Sequence, residues 1–395
     1  MKILMIAPQP FFQPRGTPIS VLHRLNTLSK LGHTIDLVTY HIGQTVPFEN
    51  VNYHRMLSIP FVKKIKIGPS KTKLLLDFFL FFKALSMLVR HRYDVLHTHE
   101  EAGFFGTGLA KLFRLKHLYD MHSSLPQQLT NFKFSKFKPL IGMFEKLEDW
   151  TINNANAVIT ICPELFNYVK ENYPEKKQWL IENVADNSTV FGEKERSNLD
   201  IRQANGLNGK TVILYSGTFE PYQGIDLLID ASEKVIPDFS GVKFVLVGGH
   251  DNQIAHYRNI IKSKKLDEYF IFAGQVKPDE VPGYLEAADI LVTPRIEGNN
   301  TPLKIYEYLR SGKPIVATRH ITHTQVLSDD VAVLTDINAA SFADGLMAIL
   351  KDDSQRKKIA GNARRLADEK YSYEVYVEKT KSIYDYLEKT PREVK

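Results

Sequence analysis

The stretch Glu297-Gly298-Asn299-Asn300-Thr301-Pro302-Leu303-Lys304-Ile305-Tyr306-Glu307-Tyr308-Leu309 carries the residue types most suited to chemistry. A loop rich in Gly, Asn and Pro runs into an apolar helical pattern, with two acids bracketing the junction. Pro302 is expected in the first helical turn, where its missing N–H costs nothing. The backbone N–H groups of such a turn form an anion seat, best suited to phosphate. Glu307, further along the helix, is within reach of a sugar hydroxyl attached to that phosphate. The spacing therefore predicts a site for a phosphorylated sugar compound.

Other candidates lie in both halves of the chain. Pro14-Arg15-Gly16-Thr17-Pro18 places a glycine just before a helix, where backbone can approach a ligand closely. It is not a GxGxxG fingerprint, and no GxxxxGK[ST] loop occurs, so neither a dinucleotide cofactor nor a P-loop is supported. His97 and His99, in DVLHTHE, alternate along a predicted strand and so share one face. Glu100 and Glu101 follow, but spacing supplies no third ligand, and no metal site is expected. His122 follows the end of another strand, where α/β sheets keep their sites. Gly217 ends a strand and Gly224 precedes a helix in YSGTFEPYQGIDLL, with Thr218 and Gln223 between them. No carboxylate pair, Ser-His-Asp set or CxxC arrangement offers a competing chemistry.

These residues must be positioned by elements. Short apolar runs alternate with longer helical patterns. They predict strands at Ile3–Ala7, Thr34–Thr39, Val95–Thr98, His117–Met121 and Ala157–Ile161. The second half adds Val212–Ser216, Lys243–Val247, Phe270–Ala273, Ile290–Thr293 and Pro314–Ala317. Continuous apolar runs suit parallel strands covered on both faces, and alternation with helices implies right-handed βαβ units. The pattern restarts after a polar stretch, Asn187 to Gly209, read as a linker. The 395 residues suit two domains. The fold class is thus α/β, with two Rossmann-like doubly wound domains facing a central cleft. The expected division is 1–190, 191–370 and a terminal helix within 371–395. One cysteine, Cys162, excludes an internal disulfide framework and fits a reducing compartment. The start, MKILMIAPQPFF, is too short an apolar run for a signal peptide and reads as a buried strand.

The formal net charge is +6, and between Lys63 and Arg92 eight basic residues stand against Asp77 alone. Within that region Leu74–Val89 is unusually apolar but short for a membrane span. It reads first as a crossover helix buried against the sheet, and second as an interfacial helix. The basic region is expected to attract anionic lipid surfaces; nucleic acid is not expected, because no binding motif accompanies the charge.

In order and spacing, these pieces resemble the family 4 retaining glycosyltransferases of GT-B fold. The resemblance spans nearly the whole chain, from PRGTPISVLHRLNTLSKLGHTIDLVT through YDVLHTH and WTINNANAVITICPEL with IENVAD to GTFEPYQGIDLLIDA, FVLVGG, FAGQVKPDEVPGYLEAADILVTPR and PLKIYEYLRSGKPIVAT. It implies metal-independent, retaining transfer of a sugar from a nucleotide donor, with UDP or GDP expected, to a glycan or lipid-linked acceptor. No cofactor is implied, since the nucleotide sugar is itself a substrate. The place of action is expected to be cytoplasmic, peripheral at the inner face of the membrane. Carried over position by position, Glu307 matches the acid that binds the donor ribose, and Leu303 and Lys304 the helix start at the diphosphate. Gly16 and Thr17 match the loop near the phosphate, and His122 a histidine beside the transferred sugar. The catalytic expectation is His122 with Lys304. Donor contacts are expected from Gly16, Thr17, Gly217, Thr218, Gln223, Arg295, Glu297, Asn299, Asn300, Pro302, Leu303 and Glu307; Arg15, His97 and His99 are expected on the acceptor side.

Three departures matter. The family's Arg and Lys that grip the diphosphate are here Thr218 and Gln223. Its paired acid is replaced by Asn299, with Glu297 two residues earlier. Arg15, Arg295 and Lys304 flank the seat and are expected to supply the missing charge. A catalytically silent sugar-nucleotide-binding homologue and a GT-B sugar-nucleotide epimerase are the alternatives.

Overall fold

Parallel β-strands form where the apolar runs fall, each within a residue or so of its expected bounds. The computed structural model describes residues 1–13, 16–62, 65, 70–126, 138–184 and 201–391. It divides into two units, Met1–Asn183 with Tyr376–Lys395, and Val184–Val375. The expected boundary near residue 190 and most of the expected linker lie outside the described residues. The end of that linker is not structureless. Ile201–Ala204 forms a helical turn, and the Arg202 guanidinium donates to the Ala287 carbonyl at 2.8 Å.

The first unit holds β1 (Lys2–Ala7), β2 (Thr34–Thr39), β3 (Val51–Arg55), β4 (Val95–His99), β5 (Lys116–Met121), β6 (Ala157–Thr160) and β7 (Gln178–Leu180), in the order β3-β2-β1-β4-β5-β6-β7. The second holds β8 (Thr211–Ser216), β9 (Val242–Val247), β10 (Phe270–Gly274), β11 (Ile290–Thr293), β12 (Ile315–Thr318) and β13 (Val333–Thr335), in the order β10-β9-β8-β11-β12-β13. All pairings among them are parallel. In each sheet the strand order reverses once, at β1/β4 and at β8/β11. Ligands of doubly wound sheets bind at the carboxyl ends of strands beside such a point.

β3, β7 and β13 carry no expectation above, and all three are edge strands. β3 mixes polar with apolar residues (VNYHR), and β7 and β13 are only three residues each (QWL, VLT), so none makes an apolar run long enough to be read, whereas the fourth edge strand, β10 (FIFAG), does.

The helix expected at Leu74–Val89 runs from Lys71 to Arg90, with the Ser70 side chain accepting from the Lys73 N–H at 3.2 Å. The buried reading holds for one face only. Leu76, Leu80, Ala84, Met87 and Leu88 join the core of β1, β2 and β4. Leu74, Phe78, Phe82 and Val89 face solvent. Among the described residues no helix is long and apolar enough to cross a membrane. The terminal helix, Tyr373–Lys389, buries Tyr376, Thr380, Ile383, Tyr384 and Leu387. Within the first unit the Lys116 ammonium donates to the carbonyl of Leu387.

Candidate active site

In the second unit, β8 delivers its last residues to the start of the helix Lys304–Ser311. The Ser216 N–H donates to the Tyr308 hydroxyl at 2.9 Å, which ties the strand end to that helix. Two residues beyond the strand's tyrosine, Gly217 adopts φ 142°, and a Cβ there would lie 2.9 Å from the Lys304 Nζ. Glycine therefore both permits the turn and leaves room for the lysine head. Lys304 is 9% exposed, and its Nζ lies 3.7 Å from the Tyr215 ring centroid. Among the described residues the ammonium has no hydrogen-bond partner. Burial, and then the neighbouring Arg295, hold it well below the usual lysine range.

Arg295, just past β11, is a second cation of this site. Its Nε donates to the Glu297 carbonyl at 2.7 Å, and its guanidinium lies 5.1 Å from the Tyr222 ring centroid. Gly298, at φ 113°, lets the loop pass it, since a Cβ there would come within 2.2 Å of Nη2. Thr218 and Gln223, standing where cations were expected, are linked by a 3.4 Å hydrogen bond from Gln223 Nε2 to Thr218 Oγ1. The buried Gln223 Oε1 and Thr301 Oγ1 have no partner among the described residues.

The loop itself corrects one expectation. Pro302 is not in the first turn, because the helix begins at Lys304. Pro302 contributes its carbonyl instead, accepting from the Ile305 N–H at 3.0 Å, while Leu303 accepts from Tyr306 at 3.2 Å. Glu307 lies half-buried in the first turn, and Asn299 and Asn300 are half-buried before it. The Asn299 carbonyl accepts from Gln325 Nε2 at 2.6 Å. Glu297 is exposed. One member of the neighbourhood escaped the sequence reading. His323 bridges Thr293 Oγ1 at 2.9 Å and the Thr318 carbonyl at 2.8 Å. Burial pushes it down to about 3, so it stays neutral near two cations. Its sequence context, ITHT, gives no sign of this.

The first unit holds a second cluster. β4 and β5 are paired in parallel with His99 opposite Asp120. Residues 97, 99 and 120 therefore share one sheet face, with His122 just past the strand in the same alternation. Arg24 donates to Asp120 Oδ2 from Nε at 3.2 Å and from Nη2 at 3.1 Å. His122 Nε2 is 3.2 Å from Asp120 Oδ1 and 3.0 Å from His99 Nδ1. The terminal helix completes the network. Tyr384 Oη meets His97 Nδ1 at 2.7 Å, and Arg24 Nη1 donates to Thr380 Oγ1 at 3.2 Å. Despite burial, Arg24 and the histidines hold the Asp120 carboxylate well below its usual range. Burial lowers His97, and lowers His99 further.

This arrangement corrects the placing of His97 and His99 against an acceptor. Both are wholly buried, and His97 has partners on both ring nitrogens. They are supports of Asp120. The donor atoms of His97, His99 and Asp120 lie within 4.8 Å of one another, a metal-like grouping. However, Arg24 already occupies the carboxylate oxygen that a cation would take. Asp120, Arg24, Thr380 and Tyr384 were missed by sequence reading, because partners so far apart along the chain leave no local spacing. Nearby, Glu148 accepts from Ser124 Oγ at 3.0 Å and the Leu125 N–H at 3.2 Å, anchoring the segment after His122. Burial pushes its carboxyl up to about 7. Gly16 and Thr17 begin the helix Gly16–Lys30, with Thr17 Oγ1 donating to Glu100 Oε1 at 3.1 Å. Arg15 lies outside the described residues.

Comparison with known proteins agrees with this architecture. Residues 14–188 match the model "Glycosyltransferase Family 4", and residues 197–366 match "Glycosyl transferases group 1". The phosphatidyl-myo-inositol mannosyltransferase of Mycobacterium tuberculosis is 25% identical over 98% of this chain and 97% of its own. Sucrose-phosphate synthase from Thermosynechococcus elongatus superposes with a TM-score of 0.78 at 20% identity, covering 98% of each chain. Anabaena HepE, solved in complex with UDP-glucose, superposes at 0.75 and 16% identity over 98% of this chain and all of its own. The two family models together span most of the sequence, and the chain belongs to glycosyltransferase family 4, with the GT-B fold.

Proposed function

We propose that this glycosyltransferase takes its sugar from a UDP- or GDP-linked donor held in the second unit. It passes that sugar, with retained anomeric configuration and without a metal, to a glycan or lipid-linked acceptor. The observation that carries the reading is Lys304. A buried ammonium whose one polar contact is the face of the Tyr215 ring, with no hydrogen-bond or ionic partner, is unfavourable by several kcal/mol in order of magnitude, unless an anion joins it. A diphosphate between Lys304 and Arg295 supplies that anion and restores the lysine toward its usual charge. Its β-phosphate becomes the leaving group when the bond from the sugar C1 breaks. The electron pair goes to the phosphate oxygen, the acceptor oxygen bonds to C1 on the same face, and its proton passes to the departing diphosphate. Cations fixed in advance where that charge develops lower the barrier more than any other single device in such a step. Lys304 and Arg295 take the place of the family pair lost at Thr218 and Gln223, and Glu307 takes the ribose hydroxyls. His122, its Nε2 beside the Asp120 carboxylate, takes the sugar side. HepE's bound UDP-glucose and the mannosyl transfer named for the mycobacterial relative favour a nucleotide-linked hexose.

A thermal-shift screen of nucleoside diphosphates and their sugars names the donor. One base is expected to raise the midpoint, and Lys304→Met to remove that shift and lower kcat/KM roughly 10²–10³-fold. If no diphosphate stabilises the protein, or Lys304→Met transfers normally, the reading fails. EDTA is expected to leave the rate unchanged; a loss restored by a divalent cation would refute metal independence alone.

A further inference from the structure

Glu148 sits on the helix Lys138–Asn154, is 2% exposed, and plays no part in the chemistry proposed above. A carboxyl so deeply buried is rare unless its oxygens are satisfied. Here the short segment after β5 satisfies them. Oε1 accepts from Ser124 Oγ, and Oε2 accepts from the Leu125 N–H. The Tyr168 hydroxyl, on the helix Pro163–Asn172, hydrogen-bonds to the same carboxyl. The ionised form, an acceptor only, matches these donors. Protonation puts a hydrogen on one oxygen. A hydroxyl can turn round to receive it, but the Leu125 N–H can only donate, and its bond then loses the help of the charge.

The segment matters because of the residue it follows. His122 lies two positions before Ser124. Its ring is held on the strand side by Asp120 and His99. The backbone beyond it has left the sheet, and Glu148 ties that backbone to a helix. The other groups facing Glu148 leave its charge finely balanced. Tyr119 of β5 is buried beside it, and burial and then Glu148 push that hydroxyl up. Burial raises Glu148 itself, Ser124, Leu125 and Tyr168 lower it, and the like charge of Glu145 on its own helix raises it slightly. Asp149, next along that helix, acts on Tyr168 and Tyr173.

We propose that Glu148 is a positioning residue for His122: its ionised carboxylate holds the segment 123–125 in place, and its protonation loosens that hold and slows transfer. The inference rests on the sugar-side role proposed for His122. The hold strengthens as pH rises through about 7. Stability runs the other way. The folded carboxyl lies above the unfolded value of 4.5, so between the two the folded chain keeps a proton that the unfolded chain has lost. The contribution of Glu148 to folding is therefore full below that window and is lost as pH rises through it. A rate that falls on the acid side cannot come from Glu148 unfolding the protein.

The full chain is assayed with the donor that the thermal-shift screen names. From about pH 6 to about pH 8, kcat is expected to rise roughly tenfold, with the donor KM unchanged. Glu148→Gln is expected to abolish this rise and to lower kcat at about pH 8 roughly tenfold, with no change in KM. Ser124→Ala removes a bond that favours the ionised form, and moves the rise to higher pH. A wild-type profile without the rise, a rise kept by Glu148→Gln, or one unmoved by Ser124→Ala overturns the proposal. Hydrogen exchange asks the same of the protein without a donor. The Leu125 amide, corrected for its intrinsic rate, is expected to be better protected at about pH 8 than at about pH 6. Equal protection overturns the proposal even where Glu148→Gln fails to fold. Protection that follows pH in a protein that transfers from no nucleotide sugar supports the hold and sinks only the donor reading.

Discussion

Lys304, proposed to grip the diphosphate, opposes the stability of the fold that holds it. Its ammonium is depressed well below the unfolded value near 10.5, so over the interval between the two the unfolded chain binds more protons. Stability of the ligand-free protein therefore rises with pH through that interval, and the penalty is fully present below it. Lys304→Met removes the penalty. It is expected to stabilise the ligand-free protein at neutral pH by about 1–3 kcal/mol in urea unfolding, and to flatten the rise at alkaline pH. A variant less stable than wild type would show that the lysine is satisfied within the fold. Residues of this kind were partly legible. Lys304 and Arg295, proposed to hold the diphosphate, lie within one short window of sequence, so local spacing could suggest them together. Asp120 was not legible, because what makes it unusual is Arg24 and three histidines brought to it by strand register.

Elements built from continuous apolar runs were readable, since a central parallel strand must be buried on both faces. Three of the four edge strands, β3, β7 and β13, were not, because they are mixed in polarity or only three residues long, while β10 keeps an apolar run. The helix Lys71–Arg90 lies between these cases: its composition announced burial, and only the fold shows that one face has nothing to bury against. The terminal helix reads as amphipathic, but its partners are some three hundred residues away along the chain. Tyr384→Phe tests its grip on the first unit. The loss of the hydroxyl leaves the buried His97 Nδ1 without its 2.7 Å partner. That is expected to cost about 1–3 kcal/mol in stability. If the helix is held by apolar packing alone, chemical denaturation will show no change.

At the scale of the molecule, each unit has its own apolar clusters, and the proposed donor residues Lys304, Arg295 and Glu307 all lie in the second unit. Calorimetry is expected to resolve two transitions, with the stabilising nucleoside diphosphate raising one by roughly 3 kcal/mol at a hundredfold excess over Kd. A single transition that shifts as a whole would show that the units melt together. The discontinuity of the first unit also sets an order of events during synthesis. Residues 184–375 leave the ribosome before Tyr376–Lys395 does. The nascent first unit must therefore wait, its Arg24 without Thr380 and its His97 without Tyr384, while the whole of the second unit is made. A chain halted after residue 375 has a complete second unit and an unfinished first one, so translational arrest or a late nonsense codon would spare the second unit and sacrifice the half that carries His122.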